Sequence, residues 1–167
     1  MNKQQIAEIL AKPYAQELLN GPEPARFAYD GLDGDPRVIP IGFWTDCEQI
    51  VMATVPKSAK VAALRKNPKV ALTIDTGAFP PKALLIRGTA AVDLVQGVPE
   101  GYLTAGHKVM TDEQYPDWAA GVQSLYDEMA VITITPTWAK LLDFETTIPK
   151  SVEDLINEKH RTTTVTP

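Results

Sequence analysis

What this sequence has little of narrows the reading first. Cys47 is the only cysteine, so no disulfide can form within the chain and a small secreted fold held by bridges is excluded. Its two histidines, His107 in "TAGHKVM" and His160 near the C-terminus, are too isolated to supply a tetrahedral ligand set, so no metal site is expected and both read as surface residues. No apolar run approaches the roughly 18 residues of a membrane span. The opening "MNKQQIAEILAKPYAQELLN" has polar and charged residues throughout rather than the continuous apolar core of a signal peptide, so a cytoplasmic protein with no membrane partner is expected. The glycines form neither a dinucleotide fingerprint nor a phosphate loop. Aromatic residues make up 7% of the chain. Trp44 and Trp118 read as packing residues, and Trp138, in a late strand, as the exception beside a substrate groove. Basic residues are outnumbered, giving a formal net charge of -5, which argues against a nucleic-acid partner.

What is present fits one domain spanning residues 1–167. Residues 3 to 19 place Ile6, Ile9, Leu10, Ala15, Leu18 and Leu19 at helical spacing with Pro13 as a break, so residues 1–20 read as an N-terminal helical segment. Strand-like runs follow at Arg26–Tyr29, Arg37–Trp44, Gln49–Thr54, Val70–Asp75, Ala83–Val95, Ala130–Thr135 and Trp138–Phe144. Helices are expected at Ser58–Lys66, at about Asp112–Met129 and at Ser151–Glu158, with a frayed tail over 160–167. Strands joined mainly by turns favour a mainly β fold: a six-stranded antiparallel split β-barrel of Greek-key type with appended α-helices.

One segment stands against the overall acidity. No acidic residue lies between Glu48 and Asp75, and "MATVPKSAKVAALRKNPKVAL" carries Lys57, Lys60, Arg65, Lys66 and Lys69. Ser58 is a good N-cap, which puts Lys60 in the first helical turn, where a cation opposes the macrodipole at a cost of about 0.3–1 kcal/mol. Two readings follow. Either this is a solvated basic face, or the helix N-terminus, Ser58, Thr54 and Lys60 together hold a phosphate, with Arg37 as a clamp from a nearby strand end. Arg65 and Lys66, in the last turn, suit the dipole and need no ligand.

The order "RVIPIGFW", "IVMATVPKSAKVAALRKNPKVALTID" and "ALLIRGTAAV" resembles the pyridoxamine 5′-phosphate oxidase-like, FMN-binding split-barrel family, closely over Arg37–Val95 and more loosely to Phe144. The resemblance implies a homodimer with cofactors at the subunit interface. It places Arg37, Ser58 and Lys60 at phosphate-binding positions, Val38, Ile39 and Pro40 along the flavin ring, and Met52, Ala53 and Thr54 on the facing strand; Lys57 is a nearby basic residue without a firm counterpart. Because the ring carries the redox chemistry, no catalytic side chain is assigned.

Two departures limit the resemblance. Ala83 stands where many such oxidases have a cofactor-contacting Gln, and "TPTWAKLLDFETTIP" holds Lys140 as its only cation where they have an arginine for the substrate phosphate. Oxidation of pyridoxamine phosphate is therefore not expected. The expected function is an FMN- or 8-hydroxy-5-deazaflavin-dependent oxidoreductase acting on a small molecule. The alternative is a non-catalytic carrier, storage or sensor protein for the same cofactor.

Overall fold

The computed structural model describes residues 1–163. Helix α1 (Lys3–Leu10) begins with a reciprocal cap in which Asn2 accepts from the Gln5 amide at 2.8 Å and Gln5 from the Asn2 amide at 3.0 Å. Pro13 ends the pattern as expected and opens a second helix, α2 (Pro13–Asn20), at the position where its missing N–H is harmless. The strands and remaining helices follow as β1 (Ala25–Asp30), β2 (Pro36–Ile41), β3 (Trp44–Asp46), β4 (Gln49–Thr54), α3 (Ala59–Lys66), β5 (Lys69–Asp75), β6 (Ala83–Gln96), α4 (Glu100–His107), α5 (Tyr115–Leu125), β7 (Glu128–Leu142) and α6 (Lys150–Thr163).

All seven strands join one antiparallel sheet in the order β2-β1-β5-β6-β7-β4-β3. β1 and β2 form one hairpin and β3 and β4 another, while β5, β6 and β7 form the central meander. No pairing joins β2 to β4 or β3 among the described residues, so the sheet stays open, as a split barrel does. Seven strands replace the expected six because Gly42 and Phe43 interrupt the Arg37–Trp44 run, and Trp44–Asp46 turns away to pair with β4 through the tight turn at Cys47, whose φ is 52°.

Two further differences have local causes. The runs Ala130–Thr135 and Trp138–Phe144 are one strand, β7, because Pro136 falls where β7 has run past the end of β4 and the β6 register shifts between Arg87 and Gly88. Proline is tolerated at such irregular positions. Gly88 makes the crossing possible: a Cβ there would sit 2.7 Å from both the Ile134 Cγ2 and the Thr135 carbonyl oxygen. The helix expected over Asp112–Met129 is present but shorter, as α5, since Met129 and Ala130 are already buried strand residues, and α4 is an additional helix upstream of it. Helix α6 runs on to Thr163 instead of ending at Glu158. Residues 164–167 of the expected tail lie outside the described residues.

Alternation along the strands builds the core. In β5, Val70, Leu72 and Ile74 are buried while Lys69 and Ala71 are exposed, and Phe27, Ile50, Met52, Ile86, Ile132 and Ile134 join them from the other strands. Ile6, Leu10, Leu18 and Leu19 close this cluster from α1 and α2. Each such side chain contributes about 1.5–3 kcal/mol by leaving water. Beyond β7, Asp143 is 2% exposed and organises the chain that leads into α6. Its Oδ1 accepts from the Glu145, Thr146 and Thr147 amides at 3.1, 2.7 and 2.7 Å, and its Oδ2 from the Thr146 hydroxyl at 2.5 Å. Among the described residues no helix is long and apolar enough to cross a membrane.

Candidate functional site

The open seam of the sheet is a cavity of about 510 Å³, within the ~300–1,000 Å³ typical of small-molecule sites. Ile39, Pro40 and Ile41 of β2 form one side, and Ala53 and Thr54 of β4 face them from near the other end of the strand order. Local sequence explains the approach. Pro36 and Pro40 cannot donate ladder bonds, which suits β2 to a free sheet edge, and β4 ends at Thr54 because Pro56 follows and the chain turns into α3.

Lys60 reaches into this seam from the first turn of α3. Its ammonium donates to the Thr54 hydroxyl at 3.3 Å and to the Ser58 hydroxyl at 3.1 Å. It makes no ion pair among the described residues, and burial pushes its pKa below the ordinary lysine value. Ser58 occupies the N-cap position, yet its side chain makes no capping bond; its hydroxyl accepts from the lysine instead. A half-buried cation, two hydroxyls and the amides of a helix N-terminus therefore converge without a carboxylate to balance them. That donor set fits a phosphate.

The other expected residues are distributed around this point. Ile39, Pro40, Ala53 and Thr54 line the cavity with Lys60. Met52 is fully buried in the core, Val38 is 66% exposed, and Lys57 is exposed in the turn before α3. Arg37 is engaged elsewhere: its guanidinium pairs with the Asp33 carboxylate in the β1–β2 turn and donates to the Asp35 and Pro36 carbonyls at 3.3 and 3.4 Å. Trp138 packs under the Arg87 guanidinium, 4.4 Å from the ring centre. Cys47 is exposed at the β3–β4 turn.

Sequence reasoning missed the wall supplied by α4 and α5. Tyr102, Lys108, Trp118 and Tyr126 line the cavity from this connection between β6 and β7. Tyr102 and Trp118 stack at 5.8 Å, and Tyr115 stacks on His107 at 4.1 Å while the His107 Nε2 meets the Asp112 carboxylate at 3.0 Å. The recurrence of aromatics at 102, 115, 118 and 126 was the available signal.

Residues 11–143 match the sequence profile of the pyridoxamine 5′-phosphate oxidase family. The chain belongs to that family. Among solved structures, this member is similar to a conserved hypothetical protein of Mycobacterium tuberculosis at 18% identity and a TM-score of 0.57, over 91% of this chain and 94% of that one. It is also similar to an F420 reductase at 23% identity and a TM-score of 0.58, over 75% and 94%. The heme storage protein HutZ of Vibrio cholerae is similar at 17% identity and a TM-score of 0.56, over 79% and 93%. At these identities the likeness establishes the fold of this family member. A comparison with curated proteins finds no match.

Proposed function

We propose that this family member is an oxidoreductase that binds FMN or an 8-hydroxy-5-deazaflavin coenzyme in the open seam. The observation that carries the reading is Lys60, a half-buried ammonium held by Thr54 and Ser58 at a helix N-terminus with no anionic partner. Lys60, Ser58 and Thr54 would hold the phosphate, and Ile39, Pro40 and Ala53 would flank the ring; Arg37 would join them only if its pairing with Asp33 opened. When bound, the ring supplies hydride or electron transfer, and the protein binds, orients and shields it. The substrate is a small molecule other than pyridoxamine phosphate. Ala83 and Lys140 replace the residues expected of such an oxidase, and neither lines the cavity.

The absorption spectrum of the purified, cofactor-loaded protein tests this reading. FMN gives two visible-region bands and the deazaflavin essentially one. Failure to bind either compound at micromolar concentration would overturn it.

The reading includes a homodimer with the cofactor at the subunit interface. Val38 on β2 and Leu94 on β6 are 66% and 47% exposed, and a second copy would cover such apolar surface. Sedimentation equilibrium at micromolar concentration is expected to show a dimer; a folded, cofactor-bound monomer would refute this part.

A further inference from the structure

Helix α6 gains no shelter from its own subunit. Every side chain from Lys150 to Arg161 is exposed, whereas each of the other helices carries partly or fully buried residues. Yet its sequence is that of a helix made to pack. Val152, Leu155 and Ile156, at 41%, 52% and 43% exposure, recur at spacings of three and four, with the stem of Lys159 one turn further on, and so form an apolar stripe about 100° wide. Lys150, Asp154 and Arg161 fall on the opposite face, where Lys150 pairs with Asp154. A helix of this length standing alone is marginal in water, so the stripe calls for a partner.

The root of α6 is firmly built. Asp143 gathers the amides of residues 145–147, the Tyr14 hydroxyl donates to the Glu145 carboxylate at 2.7 Å, and the Pro149 carbonyl accepts from the Val152 and Glu153 amides at 2.9 and 3.1 Å. Charge then identifies what the stripe meets. Lys150, Lys159 and Arg161 balance Glu153, Asp154 and Glu158, so the helix lacks the excess of basic charge that draws amphipathic helices to anionic lipid. Those charges are sorted along its axis. Glu153 and Asp154 outweigh Lys150 in the first half, and Lys159 and Arg161 outweigh Glu158 in the second. Such a helix complements a copy of itself running the other way.

We propose that α6 pairs with α6 of a second copy of this chain, antiparallel about a twofold axis near Ile156. The two apolar stripes then cover each other, and Glu153 lies level with Lys159 of the partner subunit, twice by symmetry. The pairing rests on the homodimer read above for its second copy and extends that interface through a contact outside the cofactor seam.

Cross-linking of the full chain with a short bismaleimide, in a Cys47→Ser background that removes the native thiol, tests the pairing without cofactor. Ile156→Cys is expected to give a covalent dimer. Ser151→Cys, which the antiparallel arrangement holds about 15 Å along the axis from its own copy, should give about tenfold less. Glu153→Lys should lower the yield of the Ile156→Cys link about threefold or more, and adding Lys159→Glu should restore it. Equal yields at 151 and 156, no link at 156, or a charge swap that restores nothing would each overturn the proposal. Both cysteines replace exposed side chains, so folding is not at stake. A protein that sediments as a dimer but does not link at 156 refutes the α6 pairing alone, whereas a monomer refutes the homodimer reading itself, and the two failures are distinct.

Discussion

Lys60→Ala is expected to weaken FMN or deazaflavin binding by about tenfold to 150-fold, the loss of one charge-assisted hydrogen bond worth roughly 1.5–3 kcal/mol. Thr54 and Ser58 keep their positions, because both belong to backbone elements that do not depend on the lysine. Lys66→Ala is the control. That side chain donates from the other end of α3 to the Leu32 carbonyl at 3.2 Å, far from the N-terminal turn, and should change affinity by less than about threefold, or about 0.7 kcal/mol. Equal, small losses at both positions in a fluorescence titration would reduce the basic segment to a solvated face. The empty protein should respond in the opposite sense. Because burial lowers the Lys60 pKa, the charged form is disfavoured by folding; that cost is full below the lowered value, fades as pH rises through it, and is gone above the unfolded value near 10.4. Lys60→Met should therefore raise the melting temperature of the apoprotein at neutral pH.

Asp143→Ala is expected to destabilise the fold by about 2–3 kcal/mol, since three backbone amides and the Thr146 hydroxyl lose their common acceptor. Burial alone would raise the Asp143 pKa, but these hydrogen bonds outweigh it and hold the carboxyl down at about 2. The sign follows from linkage. A carboxylate depressed in the fold stabilises fully above its unfolded pKa near 3.9, and that contribution is lost as pH falls through the folded value. Urea titrations between pH 5 and pH 2 should show wild-type stability falling by about 2 kcal/mol from this group alone. Asp143→Asn, which keeps an acceptor oxygen without the titration, should flatten that part of the slope. An unchanged slope in Asp143→Asn would contradict the assignment.

The strands and α3 could be read from the sequence because their signals are local. Alternation in Val70–Ile74, the helix start after Ser58 and the unusual Lys60 each depend on a few neighbouring residues. Arg37 shows the limit: its position in the strand was legible, whereas its pairing with Asp33 depends on how the five residues of the turn close. The aromatic wall left its residues in the sequence but not their meeting, for a related reason. Tyr102 and Trp118 meet only because α4 and α5 fold back over the seam, and nothing in the spacing of 102 and 118 says that both face the same space. The runs at Ala130–Thr135 and Trp138–Phe144 read as two because a proline inside a strand is permitted only by the partner's local irregularity at Gly88, a property of a residue 48 positions away.

The missing ladder between β2 and β4 has a mechanical meaning. Every other strand junction in the sheet is fixed at the spacing of backbone hydrogen bonds, about 4.8 Å, but the seam is spanned by side chains and by whatever lies between them. It can therefore widen or narrow without breaking a single main-chain bond, while the rest of the sheet holds its shape. Thickness is then a poor basis for telling one planar guest from another, and selectivity between two flat rings of similar outline must be exercised at their rims, against Lys60 and the α4–α5 wall that line the cavity.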